Sequence, residues 1–97
     1  MHYTYILYSK KLNKFYIGSA KNLRKRLQEH NTKKVSFTSR GLPWILVYYS
    51  AFIYKEDALS EERFLKSGQG RERKKYLLAT FLSKQNNKQN GEMAESG

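Results

Sequence analysis

The sequence has no cysteine, only one proline, and far fewer acidic than basic residues. Without cysteine, neither a disulfide framework nor a thiolate zinc site can form. Two histidines leave little material for a transition-metal cage. No apolar run approaches membrane-spanning length, and no apolar signal segment opens the chain. We therefore expect a cytoplasmic protein that does not act in a membrane.

The charge is strongly one-sided. Nineteen lysines and arginines against eight acidic residues give a formal net charge of +11 on 97 residues. Such a field attracts polyanions and makes their binding sensitive to salt, which favours a nucleic acid as partner. A membrane surface is less suitable, because no basic amphipathic helix leaves a broad apolar face free.

Hydrophobic periodicity and turn residues divide the chain into strands and helices in the order β-β-α-β-α-α. The most apolar run, Trp44 to Ile53, is expected to be the central strand of the sheet. The expected elements are strands at Tyr3–Ser9, Phe15–Gly18 and Trp44–Ile53 and helices at Asn22–His30, Glu56–Ser67 and Arg71 to about Ser83.

One domain accounts for residues 1–83, with a core just large enough to fold unaided. Asn31 to Pro43 shows no core periodicity and is predicted to be a polar loop. The Gln- and Asn-rich residues 84–97 also lack apolar periodicity, and they are predicted to form a disordered tail.

The first helix places polar side chains beside its apolar stripe. Asn22 is a suitable N-cap, and Leu23 and Leu27 would point into the core. At about 100° per residue, Arg26 and His30 flank that stripe one turn apart. They are expected to be half-buried neighbours at the edge of the core.

A carboxylate, Glu62, falls inside the apolar stripe of the second helix, between Ala58 and Leu65. Left without a partner there, it would be costly to ionise and would take up a proton. A salt bridge to Arg63 or Lys66 is one explanation, and a bound metal ion is the other.

Several lysines and arginines occupy positions that helix stability does not explain. Those in the first turns of the last helix oppose the helix dipole, and phosphate contact is one explanation for them. Those in the polar loop suit a phosphate backbone, although a surface loop without function is an equal alternative. The predicted nucleic-acid-binding residues are Lys21, Lys33, Lys34, Arg40, Lys66, Arg71 and Arg73.

Short segments occur in an order typical of one superfamily. They are Tyr3 to Leu7, Tyr16 to Ser19, Glu29 to Asn31, Ala58 to Glu62 and Phe64 to Arg71. With Arg26 inside the first helix, this series resembles the GIY-YIG nuclease superfamily. It looks most like the small single-domain members of the UPF0213 and excinuclease N-terminal-like type. The resemblance covers roughly residues 1–82.

The resemblance implies an α+β fold with a small antiparallel three-stranded sheet flanked by helices. It also implies a Mg²⁺-dependent (or Mn²⁺-dependent) endonuclease that hydrolyses DNA by a one-metal mechanism. Glu62 would be the metal ligand, and Arg26 would hold the scissile phosphate. Tyr5, Tyr16 and His30 would orient or deprotonate the attacking water.

The identity of the general base stays open at this point. A tyrosine with a pKa near ~10 is a poor base unless nearby positive charge favours the phenolate, so the tyrosines could instead relay a proton. His30 could accept a proton from a tyrosine, bind phosphate, or act as the base itself. Tyr3 and Tyr5 both fit the first motif, and the spacing to Tyr16 with strand alternation favours Tyr5.

The leading hypothesis is thus an endonuclease of the kind used in DNA repair, with DNA, including branched or structured forms, as its partner. Little sequence specificity is expected, since no reading domain is attached. A non-catalytic nucleic-acid-binding module on the same scaffold is the alternative. A third hypothesis is an accessory protein that relies on a partner protein for targeting.

Overall fold

A three-stranded antiparallel sheet with helices on both faces forms the fold. The computed structural model describes residues 1–32 and 36–85. Residues 79–85 are helical after an interruption at Leu78. The class and element order agree with the prediction from sequence. The element bounds are β1 His2–Ser9, β2 Lys14–Ala20, α1 Leu23–Asn31, a 3₁₀ helix Ser36–Gly41, β3 Trp44–Phe52, α2 Lys55–Lys66 and α3 Gly70–Leu77.

Part of the prediction falls outside the described residues. Lys33 and Lys34, two of the expected phosphate contacts, lie there, as do residues 86–97 of the expected tail. Within the described ranges, none of the helices has the length and apolar character needed to cross a bilayer.

The central strand is β1, not β3, because the strand order is β2-β1-β3. The expectation that the most apolar run lies at the centre is therefore wrong. Thr4 to Ser9 is buried at every position, whereas Ile45 and Tyr49 of β3 are 47% and 53% exposed. Helices cover β1 on both faces, so burial follows a strand's position in the sheet and not its apolar content.

Strand alternation creates two separate cores, one on each face of the sheet. On the first face, Tyr5, Leu7 and Trp44 pack against Leu23 and Leu27 of α1. The two leucines thus lie where helical periodicity predicts them. Asn22 caps α1 as predicted, with its Oδ1 accepting from the Lys25 backbone N–H at 3.0 Å.

The second core lies on the opposite face, beneath α2 and the segment that follows it. Ile6 and Ile17 of the sheet pack against Leu65 of α2 and against Leu78. Thr4 strengthens this contact, because its hydroxyl donates to the Ala58 carbonyl of α2 at 2.6 Å. The helices α1 and α2 therefore cover opposite faces of one sheet.

Part of the expected polar loop is regular structure, because its residues Ser36–Gly41 form a 3₁₀ helix. Thr38 is completely buried in the 3₁₀ helix, and its carbonyl accepts from the Trp44 indole N–H at 2.7 Å. The Gly41 carbonyl accepts from the Ser9 hydroxyl at the same distance. These residues show no periodic signal because side-chain to backbone hydrogen bonds, and not an apolar stripe, hold the 3₁₀ helix in place.

Gly70 begins α3 at a point where no side chain fits. A Cβ there would overlap the Phe64 carbonyl oxygen and lie 2.7 Å from the Leu65 Cα, both backbone atoms that cannot rotate away. Gly68 is the matched position, because a Cβ there would meet nothing within 4 Å and neither glycine has a positive φ.

We expect Gly70→Ala to lower the free energy of unfolding by about 1–3 kcal/mol, because overpacking displaces α3 from α2. Gly68→Ala should change it by less than about 0.5 kcal/mol. Urea denaturation followed by circular dichroism measures both. Equal stabilities of the two variants would contradict the close α2–α3 packing.

Candidate active site

Two tyrosines and a histidine meet on the face of the sheet that α1 covers. The Tyr5 hydroxyl lies 2.9 Å from His30 Nε2. Tyr16 stacks on Tyr5 with 6.4 Å between ring centroids, and its ring lies 4.7 Å from the His30 ring. Tyr5 pairs with Gly18 in the β1–β2 register, so Tyr16 is its diagonal neighbour.

Tyr3 lies outside this cluster, against Tyr49, so Tyr5 is the tyrosine of the first motif that reaches the site.

Gly18 makes room for the buried phenol. A Cβ at this position would lie 2.5 Å from the Tyr5 hydroxyl oxygen and 2.7 Å from the ring carbon that carries it. Any larger residue would push Tyr5 away from His30 or move β2. The packing of Tyr5, in the first motif, therefore requires a glycine at position 18, in the second motif.

His30 is completely buried, although helical periodicity predicts a half-buried residue at the edge of the core. The difference comes from Thr38, whose hydroxyl lies 2.9 Å from His30 Nδ1 and closes the site from the side of the 3₁₀ helix. Sequence reasoning missed Thr38, since a threonine in a polar segment carries no local signal.

Burial sets the protonation of this cluster. It lowers the pKa of His30, with help from the positive charge of Arg26 and against the charge of Glu29. The imidazole is therefore neutral near pH 7, with one nitrogen that donates and one that accepts. Burial also raises the pKa of Tyr5 to about 12, although the Arg26 guanidinium opposes the change. Tyr5 is thus a phenol, not a phenolate, at neutral pH.

Arg26 lies at the solvent side of the cluster. Its side chain is part-exposed, and Nη1 donates to Glu29 Oε1 at 3.1 Å. Hydrogen bonding to Tyr5 and to Glu29 raises its pKa, so the guanidinium stays charged. A planar cation with donors still facing water is suited to phosphate oxygens.

Glu62 reaches the same sheet edge from the other face. The Ser19 hydroxyl, next to Gly18 on β2, donates to Glu62 Oε1, and Lys66 Nζ donates to Oε2 at 2.7 Å. Of the two salt-bridge partners that the sequence offered, Arg63 and Lys66, the structure pairs Lys66 with Glu62. Ser19 is a further partner that the sequence analysis did not include. Glu62 does not share a face with Arg26, but its charge contributes to raising the pKa of Tyr5 across the β2 edge.

The Glu62 carboxyl is ionised at neutral pH. Partial burial works to raise its pKa, but hydrogen bonds from Lys66 and Ser19 and the charges of Lys66 and Arg63 outweigh burial and hold the pKa below its usual value. Its side chain is 20% exposed, so it is not closed off from solvent.

The donor set fits only a minimal metal site. In the part of the chain that the structure describes, no group of three His, Cys, Asp or Glu side chains is placed to hold a metal ion. An ionised, accessible carboxylate still suits Mg²⁺, which takes one or two protein carboxylates and completes its shell with water and substrate phosphate. Such an ion would bind Glu62 alongside the Lys66 ammonium or take the place of that ammonium.

The predicted phosphate-binding cations are only partly brought to this site. Lys66 lines an open groove of about 530 Å³ beside Tyr16, together with Lys74, which the sequence analysis did not select. Lys21 is exposed between β2 and α1. The remaining described members are exposed but do not line this groove; they are Arg40 in the 3₁₀ helix and Arg71 and Arg73 at the start of α3.

The lowered pKa of His30 predicts a pH-dependent stability. The unfolded chain binds this proton at a higher pH than the folded chain, so the free energy of unfolding falls as pH drops below about 7 and levels off below the folded pKa. The slope is at most about 1.4 kcal/mol per pH unit. In His30→Gln this slope should disappear between pH ~7 and ~5, above the range where carboxylates titrate.

His2→Gln is the matched control, because it leaves the Tyr5–His30 contact intact and should keep the wild-type slope. Urea denaturation at a series of pH values measures all three proteins. An unchanged slope in His30→Gln would show that His30 is not held neutral by burial.

Comparison with known proteins identifies the family of this chain. The family described as GIY-YIG catalytic domain matches residues 1–76. A UPF0213 protein of Limosilactobacillus reuteri (strain DSM 20016) is 35% identical over 80 residues, which cover 79% of this chain and 82% of that protein. UPF0213 proteins of Streptococcus pyogenes serotype M5 (strain Manfredo) and serotype M3 (strain ATCC BAA-595 / MGAS315) are each 37% identical over 73 residues, covering 74% of this chain and 79% of theirs. No solved structure matches the chain significantly. The chain therefore belongs to the GIY-YIG catalytic domain family.

Proposed function

We propose that this protein is a Mg²⁺-dependent or Mn²⁺-dependent endonuclease that hydrolyses phosphodiester bonds in DNA. One observation carries the proposal: a neutral buried histidine contacts a tyrosine hydroxyl at the Gly18 edge, with a charged Arg26 beside it and the ionised Glu62 reaching the same edge from the other face. A base, an anion-binding group and a metal-binding oxygen are what phosphodiester hydrolysis requires.

Arg26 binds the scissile phosphate in this proposal. Its bond to Glu29 is only partly buried, so a phosphate can compete for the guanidinium or share it. The charge that develops on the phosphoryl oxygens during attack strengthens the interaction in the transition state. Lys66 and Lys74, in the groove beside Tyr16, hold the neighbouring phosphates.

The proton of the attacking water passes to His30 through a tyrosine hydroxyl. Tyr5, with its pKa raised to about 12, cannot serve as a free phenolate base at neutral pH. His30 is in its basic form there, but His30 and Tyr5 are both buried, so Tyr16 must link them to the water. Tyr16, half-buried and bordering the open groove, orients that water.

Glu62 would hold the metal ion, which supplies Lewis-acid stabilisation of the departing oxygen when bound. Ser19 donates to one oxygen of the carboxylate and fixes its orientation. Lys66, on the other oxygen, keeps the carboxylate ionised when no metal is bound.

A cleavage panel tests the catalytic assignment. With Mg²⁺ or Mn²⁺, the wild type should cut at least one of supercoiled, branched, single-stranded and flap DNA. Arg26→Ala and Glu62→Ala should each lower the rate by at least about 100-fold, the usual effect of losing one group that stabilises the transition state. Both should fold, because both side chains lie at the edge of the core.

Neighbouring substitutions in the same helices provide matched controls. Lys25→Ala removes a cation next to Arg26, and Glu61→Ala removes an acid next to Glu62; each should keep a rate within a few-fold of wild type. Loss of activity in all four variants alike would point to general charge or folding effects and would contradict the assigned roles.

The second candidate is a non-catalytic nucleic-acid-binding module. Its support is that Ser19 and Lys66 already satisfy Glu62, so the partly buried carboxylate does not require a metal ion for its stability. In that case the wild type and the Arg26 and Glu62 variants would bind DNA without cutting any member of the panel.

A Mn²⁺ titration followed by NMR separates the two candidates without using activity. In the endonuclease, paramagnetic broadening should begin at Gly18, Ser19 and Glu62 and should vanish in Glu62→Gln. Glu61→Gln should leave it unchanged. Broadening spread evenly over exposed acidic residues would count against a metal site at Glu62.

A further inference from the structure

A second groove lies on the same sheet face as the tyrosine–histidine cluster, next to the start of α1. It encloses about 760 Å³ and is open to solvent. We call it the tyrosine groove; its main lining residues are Tyr3, Lys21, Arg24, Leu27, Leu46 and Tyr49.

Its position is fixed by the sheet register. Tyr49 of β3 is paired with Tyr5 of β1, and Tyr3 is two residues before Tyr5 on the same strand. Paired residues share a face, and a two-residue step along a strand is about 7 Å. The tyrosine groove therefore begins directly beside the buried tyrosine–histidine cluster.

Its chemistry combines aromatic rings with positive charge. Tyr49 is 53% exposed, and the Tyr3 ring meets it edge-on at 5.9 Å between centroids. Leu27 and Leu46 supply an apolar floor, both partly buried. Lys21 and the exposed Arg24 border the opening, and among residues 1–32 and 36–85 no acidic side chain lines the groove.

We infer that the tyrosine groove binds an unstacked base of a DNA strand, so that the substrate carries unpaired nucleotides beside the cleaved bond. The inference rests on the proposed function in taking the ligand to be the DNA that is cut. A base in a duplex is covered by its neighbours and offers only its edges, whereas a single strand offers its faces to an aromatic ring. The bordering cations complement the phosphates that flank such a base.

Binding measurements with EDTA present test this inference apart from cleavage. The probes are a fluorescent oligothymidylate and a blunt duplex of mixed sequence. Tyr49→Ala should weaken single-strand binding by roughly 5- to 150-fold, which is the loss of affinity expected when one base no longer stacks on an aromatic ring. It should leave duplex binding unchanged. The salt dependence should stay as in wild type because no charge is lost.

Two further variants control for the ring and for tyrosine in general. Tyr49→Phe should bind the single strand within a few-fold of wild type, since the aromatic face remains. Tyr76→Ala, which removes a 76% exposed tyrosine from α3, should affect neither probe. Arg24→Ala should weaken both probes and reduce the salt slope by about one.

A photocross-link supplies a measurement that does not depend on folding of a variant. An oligonucleotide carrying a halogenated uracil should cross-link the wild type at Tyr49 or Tyr3, mapped by mass spectrometry. Equal loss of single-strand and duplex binding in Tyr49→Ala, or cross-links only elsewhere, would overturn the inference. So would a wild-type dimer that Tyr49→Ala dissociates, because the groove would then bind a second copy.

Failure of the proposed function would give a different result. If the protein cuts nothing in the panel but prefers single strands in a Tyr49-dependent way, the inference about the groove holds and only the catalytic proposal fails. A protein that cuts DNA equally well with and without Tyr49, with no single-strand preference, retains catalysis and loses the groove.

Discussion

The hydrogen bond between Tyr5 and His30 is the interaction on which the rest of this site depends. It joins the central strand to the last turn of α1 inside the protein, out of contact with water. Gly18 of β2 must lack a side chain for the Tyr5 ring to fit, and Thr38 of the 3₁₀ helix engages the other histidine nitrogen. Four segments of the chain therefore have to be in place before one contact forms.

This arrangement assigns different chemical states to neighbouring groups. Burial keeps His30 neutral and Tyr5 protonated, whereas hydrogen bonds and nearby charges keep Arg26 cationic and Glu62 anionic. Titratable groups whose environments push their pKa values apart are typical of sites that transfer protons. The fold thus provides an acceptor, a donor and two fixed charges within one edge of a small sheet.

The edge of β2 brings together side chains from opposite faces. The tyrosine–histidine cluster lies on the face that α1 covers, and Glu62 extends from α2 on the other face. The two sides are linked through consecutive residues of β2, because Gly18 packs against Tyr5 and Ser19 donates to Glu62. Edge strands are usually blunted by charged side chains, and here Lys66 and Lys74 border that edge in positions that also suit a phosphate backbone.

Much of the local structure follows from the sequence by itself. The element order, the Asn22 cap, the Leu23 and Leu27 stripe and the family motifs are all readable, because each depends on residues a few positions apart. Only the tertiary structure decided that β1 is central, that Thr38 seals His30, that Ser19 donates to Glu62, and that Tyr49 stays exposed. The Tyr5–His30 contact spans 25 residues and the Ser19–Glu62 contact spans 43. Periodicity reports which face of an element is apolar, but it carries no information about the distant segment that will cover that face.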